Sequence, residues 1–565
     1  MDGMNRRLLV IGLDGGTFDV FMPLIQHGYM PNLHSILSRG CWGHLESTIP
    51  PFTAAAWSSF ITGQNPGQHG IISFQTRDRY NYEMTGKGFV TSVQQELTLW
   101  EVLSRSGKRL SIVNVPMTYP AAVVNGHMIT GMLTPSTQAD FVYPPELRSK
   151  ISEDYVIDVD FIRDGQSFRL HHFPSEHEMI RDIRRMTKVQ TSTLLKIWDD
   201  EPPWDFAMMV FTGTDRLFHF FWHYIEAVIC NHDQLLVNKR CNPDVMSEVI
   251  SCIREIDDAI GQLASWAGDE ATIMLMSDHG FGPAQRWRFY VNIWLEEQGL
   301  LKRRSRRGSF DFEQWRVWIG RQPQMKALLR RIIPQGLQDS ATTFAQSLSP
   351  SIIDWSNTQA FFVPIYFQIC GIEINQKGVF REGIVEPGRA YEKLRDSIIE
   401  ESMTIQNPET GQKVVTAAYR REEIYSGRYV ENFPDVILVL DPEYLGASSM
   451  AGKNLIEKHP YPMRSGEHRQ NGMFALAGPN ISQRGKIEHL RLLDVPPTIL
   501  YELNVPIPDA FDGEVISSVY SPTFLDTHPI QYQSFVETTD LNVQLLSETE
   551  QSMLEDRLRS LGYLS

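Results

Sequence analysis

Seven side chains scattered through 565 residues have the types that hold divalent cations or supply an oxygen nucleophile. Asp14 closes the apolar run "LLVIGLD", Asp215 and His219 stand at i and i+4 in "TDRLFHFFW", and Asp278 and His279 are adjacent in "MSDHGFGP". His468 lies in "GEHRQNGMFALAGP", and Thr53 opens "TAAAWSSFITG". On a helix, i and i+4 share a face, so Asp215 and His219 could bind one cation. Gly280 is expected to let the chain turn sharply after Asp278-His279 and bring both to an edge. Alone, each has a plainer reading: a core histidine, a structural Asp-His turn, a surface-loop histidine, an N-cap threonine. Together, all six Asp and His residues fall beside predicted strands of one sheet. Mixed carboxylate and imidazole ligation suits Zn²⁺, with Mn²⁺ possible, and two such ions side by side form the arrangement used for in-line phosphoryl displacement.

Thr53 fits that chemistry. A threonine hydroxyl is a weak nucleophile at its own pKa, and no general base stands near it in sequence. A bound cation can take the place of that base by lowering the pKa of the oxygen. Thr53 is expected at the N-cap of an apolar helix, where free N–H groups and the positive dipole end favour an anion. The small alanines that follow, Ala54 first, leave room for one and make Ala54 a candidate substrate contact.

The elements that must position these residues are legible as short apolar runs: "LLVIGLD", "LSIVNVP", "FAMMVFTGTD", "TIMLMSD", "VILVLD" and "MFALAGP". Continuous rather than alternating apolarity predicts strands covered on both faces, hence a mainly parallel sheet. Helix-period segments at 95–107, 176–199 and 246–267 predict helices on both sides, an α/β doubly wound arrangement. In such sheets ligands bind beyond the carboxyl ends of the strands. That edge is where Asp14, Asp215 and Asp278 fall.

The core is expected over 1–299 and 432–522. Between them, 300–431 reads as an inserted lid, with the basic stretch "LKRRSRRGSF" in an otherwise acidic chain. Its arginines read as a solvated helix face, or as a contact to an anionic substrate or membrane surface. The tail 523–565 ends in a predicted docked helix, with a capping box at Ser547 and Glu550 and with Leu554, Leu558 and Leu561 on one face. Apolar residues at 42% and charged residues at 21% exclude general disorder. A net charge of −16 argues against a nucleic-acid duplex as partner. Five cysteines without C-x-x-C spacing suggest a reducing compartment, and we expect a cytoplasmic location. No apolar run is long enough to predict a transmembrane helix.

Six segments, "LLVIGLDGGTFD", "PPFTAAAWSSFITGQNPGQHGI", "TGTDRLFHFFW", "MSDHGFGP", "GEHRQNGMFALAGP" and "LLDVPPTILYELNVPIPDAFDGEVI", occur in an order that resembles the alkaline phosphatase superfamily. The resemblance is strongest to its type I phosphodiesterase/nucleotide pyrophosphatase branch, including a group of predicted phosphohydrolases and phosphomutases. It implies a three-layer α/β sandwich with a mainly parallel sheet and an inserted lid. It implies that Asp14, Thr53, Asp278 and His279 hold one cation and Asp215, His219 and His468 the other, with Thr53 the nucleophile that attacks phosphorus and forms a phosphothreonine. The chain departs from the branch at Ala56, where nucleotide pyrophosphatases carry an asparagine for a phosphoryl oxygen. A lid arginine, or Arg286, Arg464 or Arg469, could supply that contact instead. "TAAAW" also lacks the Cys/Ser-x-Pro-x-Arg motif of sulfatases. The implied activity is a two-metal hydrolase of phosphoric esters; a phosphomutase with the same intermediate and a non-catalytic metal-binding scaffold are the alternatives. A lipid or glycan phosphodiester met at a membrane through the basic insert is a further substrate class.

Overall fold

The computed structural model describes residues 6–75, 79–82, 90–93, 96–159, 175–199, 204–229, 241–304, 352–459, 464–535, 546–561 and 563. The basic stretch from residue 305 to 351 lies outside them, and so does most of the charge run from Arg303 to Arg307.

Seven strands of the main sheet are β1 (Leu8–Leu13), β2 (Cys41–Glu46), β3 (Leu110–Val115), β4 (Gly126–Thr130), β5 (Val142–Tyr143), β6 (Phe206–Phe211) and β7 (Thr272–Met276). The order across the sheet is Gly485–Lys486, β2, Asn471–Ala477, β7, β1, β6, β3, β4, β5, with Leu490–Arg491 also on β2. Every residue of β1, β3, β6 and β7 is buried. These four strands run parallel to one another, Leu9 of β1 lying between Ala207 of β6 and Ile273 of β7. Helices Glu176–Asp199, Gly213–Ile229 and Pro243–Ala267 pack on one another, and the first has its apolar residues on a single stripe. The α/β sandwich with a mainly parallel sheet is therefore as expected.

Two strands behave differently. "MFALAGP", within Asn471–Ala477, joins the sheet but runs antiparallel to both β7 and β2. "VILVLD" is absent from this sheet: Val436–Leu440 pairs antiparallel with Ile369–Ile374 and Val415–Arg420 in a separate four-stranded sheet completed by Ala360–Tyr366. Continuous apolarity reports burial on both faces, and it carries no information on strand direction or partner.

The smaller sheet leans on the edge that carries the site. The Tyr366 hydroxyl donates to the Glu467 carboxylate (2.9 Å), the Gln368 amide to the carbonyl of His468 (2.9 Å), and the Tyr425 hydroxyl to the carbonyl of Ile49 (2.7 Å). Arg79 and Arg421 both pair with Asp435, which is fully buried, and Arg79 also pairs with buried Glu373. The C-terminal helix Glu548–Ser560 begins in a reciprocal Ser547–Glu550 cap, and Leu554, Leu558 and Leu561 are buried. Among the described residues no helix is long and apolar enough to cross a membrane.

Candidate active site

Each strand end delivers a carboxylate. Asp14 follows β1, and Gly15 turns the chain with φ +68; a Cβ there would meet the Phe281 ring at 2.6 Å. The helix Gly213–Ile229 starts directly after β6 and places Asp215 in its first turn, beside its positive end. The hydroxyl of Thr214 donates to the carbonyl of Asp14 (2.6 Å), tying the two strand ends together. Asp278 and His279 follow β7. Gly280 serves a close approach rather than a turn: a Cβ would lie 1.9 Å from the carbonyl oxygen of Asn471. His468 sits on the short strand Gly466–Arg469, paired with Gly280–Pro283, and is fully buried, so it is no surface-loop histidine.

Thr53 is the first residue of the helix Thr53–Thr62; the N-cap is Phe52, in extended conformation. The expectation of an N-cap threonine is thus off by one position. Its hydroxyl is not used to cap the helix and lies 3.4 Å from Nε2 of His279.

These residues converge into two triads, Asp14–Asp278–His279 and Asp215–His219–His468, each with its ligand-type atoms within 4.8 Å of one another. Each carboxylate has one oxygen held. Asp14 Oδ2 accepts from the Trp57 indole (3.3 Å), Asp278 Oδ1 from the Gly15 amide (3.2 Å), and Asp215 Oδ2 from Arg216 and from the Tyr563 hydroxyl (3.0 Å). The other oxygen of each, Asp14 Oδ1, Asp215 Oδ1 and Asp278 Oδ2, is buried with no hydrogen-bond partner. The histidines are arranged to match. Nδ1 of His219, His279 and His468 faces the carbonyl of Gly466 (3.0 Å), Gly280 (3.1 Å) and Pro51 (3.1 Å) respectively. Donation there fixes the tautomer and turns each Nε2 lone pair inward.

Electrostatics agree with this assignment. Burial lowers the pKa of His219, His279 and His468 to about 4, so all three are neutral near pH 7. Burial raises Asp14 well above the ordinary carboxylate range, and the neighbouring Asp278 and Asp215 add to the rise. Burial also pushes Asp215 upward, but the Arg216 guanidinium against its Oδ2 helps hold it well below. Arg216 is itself clamped by Asp158 through Nε (3.1 Å) and Nη2 (2.6 Å). Inward lone pairs and partnerless carboxylate oxygens in one buried space are the donor set of a divalent cation, so the residues fit the ions that the sequence implies.

Of the other candidates, Ala54 is buried in the first turn of the Thr53 helix, and Arg464 reaches the site, with Nη1 3.1 Å from Nε2 of His219. Arg286 points elsewhere, being exposed and paired with Glu443. Arg469 spends its guanidinium on the carbonyls of Glu467, His468 and Pro283. Arg216 and Tyr563 were not singled out by sequence reasoning; Arg216 could have been, as the residue following Asp215, whereas nothing in the polar tail marks Tyr563.

Lone pairs and unpaired carboxylate oxygens gathered in two such triads beside a threonine hydroxyl are the donor chemistry of the metal-dependent hydrolases of phosphoric esters. Residues 8–462 match the model of type I phosphodiesterase / nucleotide pyrophosphatase, and the chain belongs to that family. A comparison with curated proteins finds no match. Among solved structures, phosphonoacetate hydrolase from Sinorhizobium meliloti 1021, in complex with phosphonoformate, superposes with a TM-score of 0.51 at 15% identity, covering 89% of this chain and 96% of that one. Human and murine ectonucleotide pyrophosphatase / phosphodiesterase 5 each give 11% identity over 91% of this chain and 100% of theirs, with TM-scores of 0.49 and 0.47.

Proposed function

We propose that the protein hydrolyses phosphoric diesters or pyrophosphates through a covalent phosphothreonine on Thr53, with two divalent cations, Zn²⁺ or else Mn²⁺, held by the two triads. The observation that supports this most is the partnerless oxygen on each of three buried aspartates, set among three inward Nε2 atoms and the Thr53 hydroxyl. Asp14, Asp278 and His279, with Thr53, would hold one cation, and Asp215, His219 and His468 the other. Bound there, the cations would supply Lewis-acid activation and neutralise charge on the phosphoryl group.

The chain's own residues do the rest. The first N–H groups of the helix, those of Thr53, Ala54 and Ala55, have no intrahelical acceptor and offer donors to phosphoryl oxygens at the positive end of the dipole. Arg464, buried beside His219, stands in for the side-chain donor that Ala56 lacks. The Thr53 oxygen forms a bond to phosphorus as its O–H bond breaks, and the ester or anhydride oxygen leaves with its bonding pair and takes up a proton in exchange for the one released. Water then displaces the threonine oxygen from phosphorus, its oxygen staying on the phosphoryl group and one of its protons restoring the Thr53 hydroxyl.

The test uses the full chain loaded with Zn²⁺ or Mn²⁺ and bis(4-nitrophenyl) phosphate. The wild type should release 4-nitrophenolate, and Thr53→Ala should lose activity by a factor of ~10³ or more, as expected when a covalent route is removed. Equal activity in both proteins, or none in either across a panel of phosphoric esters, rejects the proposal.

A further inference from the structure

We propose that Tyr563, delivered by the C-terminal helix, is a specificity-determining residue: its ring roofs the Asp215–His219–His468 end of the site and limits the bulk of the phosphoric ester that fits beside Thr53. This rests on the reading of the site given above and adds to it a limit on substrate size.

The tail is fastened without the tyrosine. Leu554, Leu558 and Leu561 are 0%, 0% and 1% exposed. Arg557 donates to the carbonyls of Thr134 (2.6 Å) and Pro135 (3.1 Å), and Arg464 donates to the carbonyl of Leu561. Docking therefore has its own apolar stripe and its own hydrogen bonds, and Tyr563 lies beyond them.

What Tyr563 touches belongs to the site. Its hydroxyl donates to Asp215 Oδ2 (3.0 Å), accepts from Arg216 Nη1 (2.9 Å) and lies 3.5 Å from His219 Nε2. Its ring centroid is 5.8 Å from that of Phe52, the residue before Thr53, and 5.3 Å from that of Phe74, both in edge-on geometry. The Arg464 guanidinium carbon lies 4.4 Å from the centroid of the same ring. Thr53 is 1% exposed and Asp215, His219 and His468 are fully buried, whereas Tyr563 keeps part of its surface in solvent. The ring, with its centroid 5.8 Å from that of His219 and 6.4 Å from that of His468, thus forms one side of the site. A phenol with two torsions, wedged between two phenylalanines and an arginine, is a stiff wall. Its chemistry favours a compact phosphoric ester over one with a large second substituent.

The experiment compares kcat/KM for methyl 4-nitrophenyl phosphate and bis(4-nitrophenyl) phosphate, which share a leaving group and differ in the ester group retained, using the Mn²⁺-loaded full chain. Tyr563→Ala should shift the ratio toward the bis-aryl ester by ~10-fold, the discrimination available from one apolar wall. Tyr563→Phe, which keeps the wall and loses the hydroxyl, should hold the ratio within ~3-fold of wild type. Deleting residues 563–565 should reproduce the alanine shift, with an unchanged melting temperature showing that the fold is retained. A ratio that moves less than ~3-fold in both the alanine and the deletion variant, with the two substrates losing activity equally, assigns Tyr563 a structural role and overturns the inference. Loss of the hydrolase reading itself looks different: the wild type is then inactive on both esters, or Thr53→Ala is as active as wild type.

Discussion

His279 lies face to face with His468, their ring centroids 3.5 Å apart and their planes 19° from parallel. One belongs to the Asp14 triad and the other to the Asp215 triad, so the two triads share a wall. His468→Ala removes a ligand-type atom from its own triad and the stacking support from its neighbour's imidazole. Titration with Zn²⁺ against a chromophoric chelator should show one equivalent lost and the second weakened by ~10-fold, the usual cost of a lost supporting contact. If the second equivalent binds as in wild type, the triads are independent.

The join between the smaller sheet and the rest of the chain depends on Asp435. Its carboxylate accepts from Arg79 (2.7 Å), Arg421, the Tyr391 hydroxyl (2.7 Å) and the amide of Ile374 (2.7 Å) while wholly buried. Asp435→Ala takes a carboxylate from two buried guanidinium groups, leaving Arg79 to Glu373 and Arg421 to Glu431, and should cost about 3 kcal/mol of stability by denaturant unfolding. A loss below about 1 kcal/mol would mean that water or Glu373 satisfies them.

His69 makes the protein acid-sensitive at a point away from the triads. Its Nδ1 accepts the Ile71 amide (3.1 Å), so Nε2 carries the proton and donates to Ser59 Oγ (2.9 Å). Burial lowers its pKa to about 3. The unfolded chain, with an ordinary histidine near 6.5, therefore binds the proton first on acidification. The stabilising contribution is complete above pH 6.5 and falls by about 1.4 kcal/mol per unit as pH drops toward 3. Urea unfolding of wild type and His69→Asn should show the wild-type advantage shrinking by about 2 kcal/mol between pH 7 and pH 5. A pH-independent difference would refute the assignment.

The sheet was readable because β1, β3, β6 and β7 are buried on both faces and so carry unbroken apolar runs. Strand direction was not readable, which is why Asn471–Ala477 and Val436–Leu440 differ from expectation. Asp14, Asp215 and Asp278 could be grouped because strand carboxyl ends converge in this architecture. Nearness in sequence misled for the arginines. Arg469 adjoins His468 on a strand, and successive side chains there point to opposite faces, so the two cannot both face the site. The one-residue error at Thr53 has a similar origin, since helix starts are set by φ/ψ of the preceding residue and Phe52 supplies the extended conformation. Tyr563 left no trace because a single aromatic in a polar tail has no periodicity to betray where it docks.

Asp14 and His468 stand 454 residues apart along the chain, yet their triads abut. Every residue up to His468 must leave the ribosome before the last imidazole arrives, and loop closure over such a span is among the slow events of folding. Completion of the paired triads is therefore a late checkpoint in the life of each molecule: a chain halted or cut before His468 keeps Asp14, Asp215 and Asp278 but lacks the imidazole that closes the second triad.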